Sequence, residues 1–303
     1  MNDGGIMKIK LSPLDITFNI INHIFLLLMA FTCLYPIYYI FLYSISDATE
    51  AAKGLVVFWP VKPDFSTYAS LLTKPEIMNA AFISASRAIL GTFITVLCSS
   101  YLGYVLSRED LPFRKTIYRY FIITMYVSAG LIPWYITMKT LGLKNNFLLY
   151  ILPSAISAFY IILVKTYVEQ LPKSLEDSAK IDGAGVFSIF FNIILPISLP
   201  IIATVTIFSA VNQWNAWQDN LYLVNKKELS TLQLLLYNYM NSTMATGDIS
   251  RMKTMNLVAS AKKVSSMSMK MTMSIITVFP ILLVYPIMQK YFIKGIMIGA
   301  VKG

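Results

Sequence analysis

Six long apolar runs divide this chain of 303 residues and limit what it can fold into. A helix that crosses the hydrocarbon core of a bilayer needs about 20 mostly apolar residues, and the runs have that length. None of them alternates between apolar and polar positions, as the strands of a membrane β-barrel do. Because helices satisfy their own backbone groups in lipid, the sequence predicts an all-α polytopic membrane protein. We expect one transmembrane domain over residues 1–303, with six transmembrane helices at about residues 18–44, 79–106, 117–138, 147–167, 193–215 and 272–293.

The composition agrees with a membrane location. Hydrophobic residues make up 56% of the chain and charged residues 13%, whereas a soluble domain has about 25% charged residues. The net charge of +10 comes from basic residues scattered in loops between the apolar runs, so it does not indicate nucleic-acid binding. Lys and Arg favour the cytoplasmic loops of membrane proteins, and their distribution here favours a chain with both termini in the cytoplasm.

Ionisable residues are almost absent from the apolar runs. Arg87 lies inside the second run, Lys165 lies at the end of the fourth, and no Asp or Glu lies in the middle of any run. An ion-coupled carrier usually relies on a buried carboxylate or an unwound ion site. The sequence also lacks a phosphate-binding GxxxxGK[ST] loop, an HExxH motif and a cluster of Cys and His. It therefore predicts no enzyme, no bound cofactor and no metal, and energy for uphill transport would have to come from another subunit.

The second run carries a small residue at every fourth position, namely Gly91, Thr95, Ser99 and Gly103. A helix face of this kind lets another helix approach closely in lipid. That neighbour can belong to this chain or to a second subunit, and the sequence leaves both open.

A more polar segment, LEDSAKIDGAGVFSIFFNIILPISLP at residues 175–200, separates two apolar runs. Asp182-Gly183 favours the end of a helix, because Gly adopts a positive φ readily. The segment predicts a hairpin of two short helices, at about residues 169–192, that lies at the membrane surface. Its small residues would allow a protein partner to approach closely, although a hairpin that only joins two spans fits the same pattern.

The same segment resembles the EAA loop of the permease subunits of binding-protein-dependent ABC importers with the type I fold. Members of that family often read EEAAKIDGA, followed further on by I-LP. This chain has Asp177 where Glu is usual and Ser178 where Ala is usual, and it continues with Ile194-Leu195-Pro196. The resemblance assigns contact with an ATPase subunit to Glu176, Asp177, Ser178, Ala179, Asp182, Gly183 and Ala184.

Two further stretches carry the resemblance over nearly the whole chain. Residues 214–217, which read WNAW, resemble the W-N-x-W of carbohydrate permeases. Residues 279–303 resemble the C-terminus of the branch that handles complex saccharides. The resemblance implies a transport subunit of the bacterial cytoplasmic (inner) membrane that imports sugars, in particular oligosaccharides or complex saccharides. A permease for a non-sugar solute and a self-contained carrier or channel are the alternatives.

The resemblance also implies partners. In this family the loop is a cytoplasmic coupling helix that docks on an ATPase subunit, and the ATPase subunits bind ATP and Mg. The expected assembly contains a second, different permease subunit, two ATPase subunits and an extracytoplasmic solute-binding protein. The first outer loop and the outer segment 216–271 are expected to face that binding protein.

Candidate substrate-pathway residues gather at the outer end of the fifth span and on the second and third spans. Aromatic rings can cover the C–H faces of a sugar, and amide groups can bond its hydroxyls. The same side chains would also suit the helix core or the aromatic belt of a membrane protein. Arg87 could bind an acidic saccharide, a backbone carbonyl or a partner chain. The candidates are Arg87, Tyr126, Trp134, Asn212, Gln213, Trp214, Asn215 and Trp217.

Overall fold

The computed structural model describes residues 12–241 and 266–300, with side chains up to residue 286. Within these ranges the chain is helical apart from its loops and one isolated β-bridge between Ser46 and Pro63, and it forms no strand. The end of the C-terminal resemblance, residues 301–303, lies outside the described residues, and so does the middle of the outer segment. The described residues form two compact units, 12–68 with 266–275 and 69–241 with 276–300. A single domain over residues 1–303 stays a prediction.

The first unit is built on α1 (Pro13–Ser44), which begins at a reciprocal cap. The Ser12 hydroxyl accepts from the backbone N–H of Asp15, and the Asp15 carboxylate accepts from the backbone N–H of Ser12. Pro13 suits the first helical position, because its missing N–H is not needed there. A short helix, α2 (Ala48–Ala51), follows in the same unit, and α3 (Ser66–Leu72) leads out of it.

The second unit contains the remaining helices in chain order: α4 (Pro75–Ser107), α5 (Arg114–Tyr126), α6 (Leu131–Thr140), α7 (Ala158–Val168), α8 (Ser174–Ile181), α9 (Val186–Ile189), α10 (Leu195–Ile197), α11 (Leu199–Asn215), α12 (Gln218–Leu223) and α13 (Leu232–Asn241). Two 3₁₀ turns, Phe147–Tyr150 and Leu152–Ser154, precede α7, and a third covers Lys227–Leu229. A π turn, Phe190–Ile194, separates α9 from α10. The last helix, α14 (Ser266–Ala300), belongs in part to each unit.

Helices cover all six predicted spans, but only three of these spans are single long helices. By length and composition α1, α4 and the Ser266–Pro286 part of α14 can each cross a membrane as one helix. The third predicted span consists of α5 and α6, which meet at 116°. The fourth consists of the turns Phe147–Ser154 and α7, at 44°. The fifth, predicted at about residues 193–215, begins in the end of the segment Val186–Ile197 and continues as α11, which is bent by 85° relative to that segment. The third, fourth and fifth spans are therefore not the continuous helices that their apolar runs suggest.

The bends lie where the local sequence opposes a helix. Gly130, between α5 and α6, has φ +80°, a conformation that favours glycine. Pro153 lies in the turns before α7, and Pro196 and Pro200 lie on either side of the bend before α11. Proline removes a backbone donor and restricts the residue before it. A hydropathy profile does not reveal these changes in the direction of the helix axis, because the residues around each bend remain largely apolar.

The small-residue face of α4 packs on helices of this chain. A Cβ added to Gly103 would lie 2.8 Å from Val164 Cβ and 2.9 Å from the carbonyl oxygen of Ile161, both on α7. A Cβ added to Gly91 would lie 2.5 Å from Nε2 of Gln213 on α11. These approaches place α4 at the centre of the second unit, between α7 and α11.

Candidate functional site

The segment between α7 and α11 folds as the predicted hairpin, and residues 169–192 are called the surface hairpin below. Its first helix, α8, ends at Ile181, Asp182 is the C-cap, and Gly183 follows with φ +79°. The backbone N–H of Ala184 donates to the carbonyl oxygen of Ala179 at 2.9 Å. A glycine with positive φ closes the end of a helix in this way. Gly185 then precedes α9, which runs through the π turn towards α11.

One face of the surface hairpin packs on α4 and α7. Ala179 and Phe190 are buried in the same apolar cluster as Tyr104 of α4. The ring centroids of Phe190 and Tyr104 are 5.7 Å apart, and those of Phe187 and Tyr101 are 5.0 Å apart in a stacked pair. Because protein interiors are close-packed and transmit strain, a displacement of the hairpin would be passed on to the spanning helices beneath it.

The opposite face of the surface hairpin is open. Asp177, Ser178, Asp182 and Gly183 are exposed, and Ile181 is 86% exposed. A Cβ built on Gly183 would meet no atom within 4 Å. This face therefore leaves room for another chain to approach. Of the other residues assigned to ATPase contact, Glu176 and Ala184 are half-buried and Ala179 is buried.

Ion pairs join the base of the surface hairpin to α7, to the start of α5 and to the loop between α4 and α5. Glu169 accepts a hydrogen bond from Lys165 at 2.8 Å and another from Arg114. Lys173 Nζ lies 2.5 Å from Glu109 Oε1, and this ammonium lowers the pKa of the Glu109 carboxyl below its usual value. The Lys173–Glu109 pair is exposed, and an exposed pair adds little stability.

A cavity of about 1140 Å³ opens beside the end of α11. Trp134 of α6 lines it together with Asn212, Asn215 and Trp217. The lining therefore offers aromatic faces and amide groups, with small hydroxyl side chains from α5, α6 and the bend that joins them. Among the described lining residues there is one carboxylate, Asp219, and no Lys or Arg.

Arg87 lies behind the wall of this cavity and is 4% exposed. Its guanidinium makes a bidentate pair with Asp219, at 3.0 Å from Nη1 to Oδ1 and 2.5 Å from Nη2 to Oδ2. Nη1 also donates to the carbonyl oxygen of Ala216 at 3.2 Å, and Nε donates to Oε1 of Gln213 at 3.0 Å. The Tyr150 ring centroid lies 4.6 Å from the guanidinium carbon. Charge-assisted bonds of this geometry are strong, so Arg87 is satisfied within this chain. We call these five residues the Arg87 cluster.

The remaining candidates make other contacts. Gln213 is buried, and its Nε2 donates to the Ser154 hydroxyl at 2.6 Å. The indole N–H of Trp214 donates to the carbonyl oxygen of Thr277 on α14 at 3.1 Å. Tyr126 is exposed at the end of α5 and does not line the cavity. The structure thus brings four candidates to one cavity: Trp134, Asn212, Asn215 and Trp217.

Sequence reasoning missed the ionic partners in this region. The sequence pattern does not indicate that Asp219 is the partner of Arg87, that Glu109 pairs with Lys173 of the hairpin, or that Glu169 pairs with Lys165 and Arg114. Asp219 follows the WNAW stretch by two residues, so a carboxylate beside an aromatic and amide cluster was the available signal. Tyr150 carried no such signal, because a tyrosine in an apolar run is common.

The chain belongs to the family of binding-protein-dependent transport system inner membrane components, which matches residues 96–298. The matched range contains the surface hairpin and all of the residues that line the cavity. Members of this family are membrane subunits of transport systems, so the chain is a transport subunit and not an enzyme.

Individual relatives agree with this assignment. The chain is 34% identical to the polygalacturonan/rhamnogalacturonan transport system permease protein YtcP of Bacillus subtilis (strain 168), over 94% of this chain and 98% of that protein. It is 27% identical to the arabinooligosaccharides transport system permease protein AraQ of the same organism, over 96% and 99% of the two chains. A solved bacterial ABC transporter involved in the import of the acidic polysaccharide alginate contains a chain that matches with a TM-score of 0.83 and 28% identity, over 93% of this chain and 99% of that one. The all-α membrane fold expected from the apolar runs and the family expected from the resemblance are confirmed.

Proposed function

We propose that this chain is a permease subunit of an ATP-driven importer of saccharides, of the class of oligosaccharides or complex saccharides. The observation that carries the proposal is the surface hairpin, which is fixed to α4 and α7 by one face and is open on the other. The solute class is supported by relatives named for polygalacturonan/rhamnogalacturonan and arabinooligosaccharide transport. The rings and amides that line the cavity support it independently.

In this proposal the open face of the hairpin docks on an ATPase subunit. Two such subunits bind ATP and Mg, and this chain carries no cofactor of its own. Closure of the ATPase subunits displaces α8, and the buried contacts of Ala179 and Phe190 pass the displacement to α4 and α7. The residues proposed for this coupling are Glu176, Asp177, Ser178, Ala179, Asp182, Gly183 and Ala184.

The docking requires a defined orientation in the bacterial cytoplasmic membrane. The hairpin and both termini lie in the cytoplasm, and the end of α11 faces outwards. The basic residues beside the hairpin, among them Arg108, Arg114 and Lys173, support this orientation, because Lys and Arg favour cytoplasmic loops. An extracytoplasmic solute-binding protein then delivers the saccharide from the opposite side.

A second, different permease subunit completes the solute pathway. The cavity is open rather than enclosed, and an open cavity would expose a polar saccharide to its surroundings. A facing subunit closes it and supplies the other half of the lining.

The wall of the cavity serves the solute in two ways. Asn212, Asn215 and the rings of Trp134 and Trp217 contact it, while the Arg87 cluster holds the wall in place. Because the described lining has no basic residue, this wall binds the hydroxyl groups and C–H faces of a sugar rather than its carboxylates. Tyr126 and Trp214 belong to the pathway only if the partner subunit or a second conformation brings them to it.

Deletion of the chain from its bacterium, with restoration from a plasmid, tests the proposal. Uptake of labelled oligogalacturonides and arabino-oligosaccharides should be measured beside uptake of a dipeptide and a polyamine. We expect loss of uptake for a saccharide and unchanged uptake for the other two solutes. Loss confined to the dipeptide or the polyamine contradicts the solute class. Transport by the purified chain in liposomes without an ATPase contradicts the subunit role.

A further inference from the structure

The loop after α1 presents apolar side chains that nothing in the described first unit covers. The exposed side chains are those of Leu55, Val57, Phe58 and Trp59, and Trp59 is 78% exposed. Val56, between them, is buried against the end of α1. The loop therefore packs against α1 through Val56 and leaves the side chains on either side of Val56 exposed. Residues 55–59 are called the apolar loop below.

The apolar loop folds back along α1. The Tyr38 hydroxyl donates to the carbonyl oxygen of Phe58 at 2.7 Å, and the Tyr35 hydroxyl donates to that of Val57 at 3.3 Å. The rings of Tyr35 and Phe58 have their centroids 5.8 Å apart. Because α1 ends at Ser44 and a helix rises about 1.5 Å per residue, the loop lies about 9 to 14 Å short of the helix end.

The residues that flank the apolar loop, Lys53 and Lys62, are charged and are called its base. Residues 57–59 are apolar and are called its tip. Lys53, before the loop, and Lys62, after it, each lie 2.9 Å from the carboxylate of Glu50. Both lysine side chains are largely exposed. Charged groups of this kind belong in water, so they mark the water side of the loop. The tip extends from this base towards the middle of α1.

The tip lies beside one end of the mostly apolar part of α1. The mostly apolar part of α1, from Ile24 to Phe41, is about 27 Å long, close to the core thickness of about 30 Å. Tyr35 and Tyr38 lie within the last two turns of that part. Tyr and Trp are enriched at this level of membrane proteins, where a ring meets both lipid and headgroups.

We propose that the apolar loop is a lipid anchor, whose exposed side chains insert into the leaflet beside the end of α1. Its partner is the lipid surface at the membrane–water interface. A water-soluble protein cannot reach side chains below the headgroups, so for residues 55–59 this proposal replaces the expectation that the first outer loop faces the solute-binding protein. Leu34 and Ile37 of α1 are exposed at the same level, so the loop continues the apolar surface of a spanning helix. The anchor depends only on α1 crossing the membrane and not on the proposed solute.

Fluorescence quenching in native membrane vesicles tests the anchor. The two cysteines, Cys33 and Cys98, are replaced by Ala, and an environment-sensitive dye is attached at Trp59→Cys or Val57→Cys. Lys53→Cys, at the charged base, is the matched control. Quenchers are a lipid with a nitroxide near the headgroup end of its acyl chain, and iodide in water. We expect lipid quenching several-fold stronger at positions 57 and 59 than at position 53, and the reverse order for iodide.

Two results would overturn the proposal. Iodide quenching at positions 57 and 59 equal to that at position 53 would put the tip in water. Protection of both positions from both quenchers would show that a protein, such as a second permease subunit, covers the loop. Two label sites guard against a variant that fails to fold, and the amount of each variant in the membrane is measured before labelling.

Discussion

The surface hairpin and the Arg87 cluster both contain an aspartate, but the two carboxylates have opposite surroundings. The Asp177 side chain is 67% exposed on α8, whereas that of Asp219 is 14% exposed and held by Arg87. A charge in water is available to a partner, but a buried charge is stable only while its own partner is present. The exposed carboxylate can therefore serve the proposed ATPase contact, whereas the buried one holds a fixed wall.

Glycines show the same difference between the two regions. Gly183 of the hairpin has a positive φ and open space around it, so its conformation alone requires glycine. Gly91 and Gly103 of α4 have no such φ, but neighbouring helices leave no room for a Cβ. The hairpin requires glycine for its backbone conformation, whereas the spanning helices require glycine so that they can pack closely against each other.

The largest effect is expected from Asp219→Ala, which leaves Arg87 buried and unpaired. Breaking a buried ion pair from one side costs about 3–5 kcal/mol, so little folded chain should remain in the membrane. The measurement is the amount and thermal stability of the detergent-solubilised chain. Asp177→Ala is the matched control and should leave both unchanged. Equal stability of the two variants would remove the distinction between the two carboxylates.

A smaller loss of stability is expected from Gly103→Ala. The new Cβ meets the backbone oxygen of Ile161, which cannot move without shifting α7. Overpacking of this kind costs about 1–3 kcal/mol. Gly91→Ala is the comparison, since its Cβ meets only the side chain of Gln213, and it should cost less. Thermal denaturation of both variants checks this order, and the reverse order would mean that the two helix contacts are wrongly ranked.

Gly183→Leu should abolish uptake while the chain stays folded. A side chain at positive φ costs about 1–2 kcal/mol, which the remaining structure can tolerate. The added bulk would occupy the open face that the ATPase is proposed to cover. Gly183→Ala carries the same backbone strain with little bulk, so it should retain more uptake at equal expression. If both variants transport like the parent chain, the hairpin does not couple.

The smallest effect is expected from Asn215→Ala, on transport alone. Loss of a hydrogen bond to solute would cost about 0.5–1.5 kcal/mol, which corresponds to roughly a tenfold rise in KM or less. Tyr126→Ala, outside the described cavity lining, is the control and should transport normally. Concentration-dependent uptake separates the two variants. A lower amount of folded Asn215→Ala protein, with unchanged KM, would make Asn215 a structural residue instead.

Local patterns were sufficient to predict much of this molecule. The spans follow from runs of apolar residues, and the hairpin follows from a polar segment that ends at Asp182-Gly183. The bends in the third, fourth and fifth spans were not predicted, because apolar length does not report the direction of a helix axis. The roles of the eight pathway candidates were predicted only as a group, and the tertiary structure separates those that line the cavity from those behind or beside it.

The sequence by itself determined that the chain crosses lipid several times and that a short polar hairpin lies between two spans. Both properties depend on neighbouring residues, through the thickness of the bilayer and the φ angle that glycine permits. Only the tertiary structure decided that Arg87 is matched by Asp219, which lies 132 positions later. Whether a buried cation is free to bind a solute depends on which groups surround it, and folding brings those groups from distant parts of the chain.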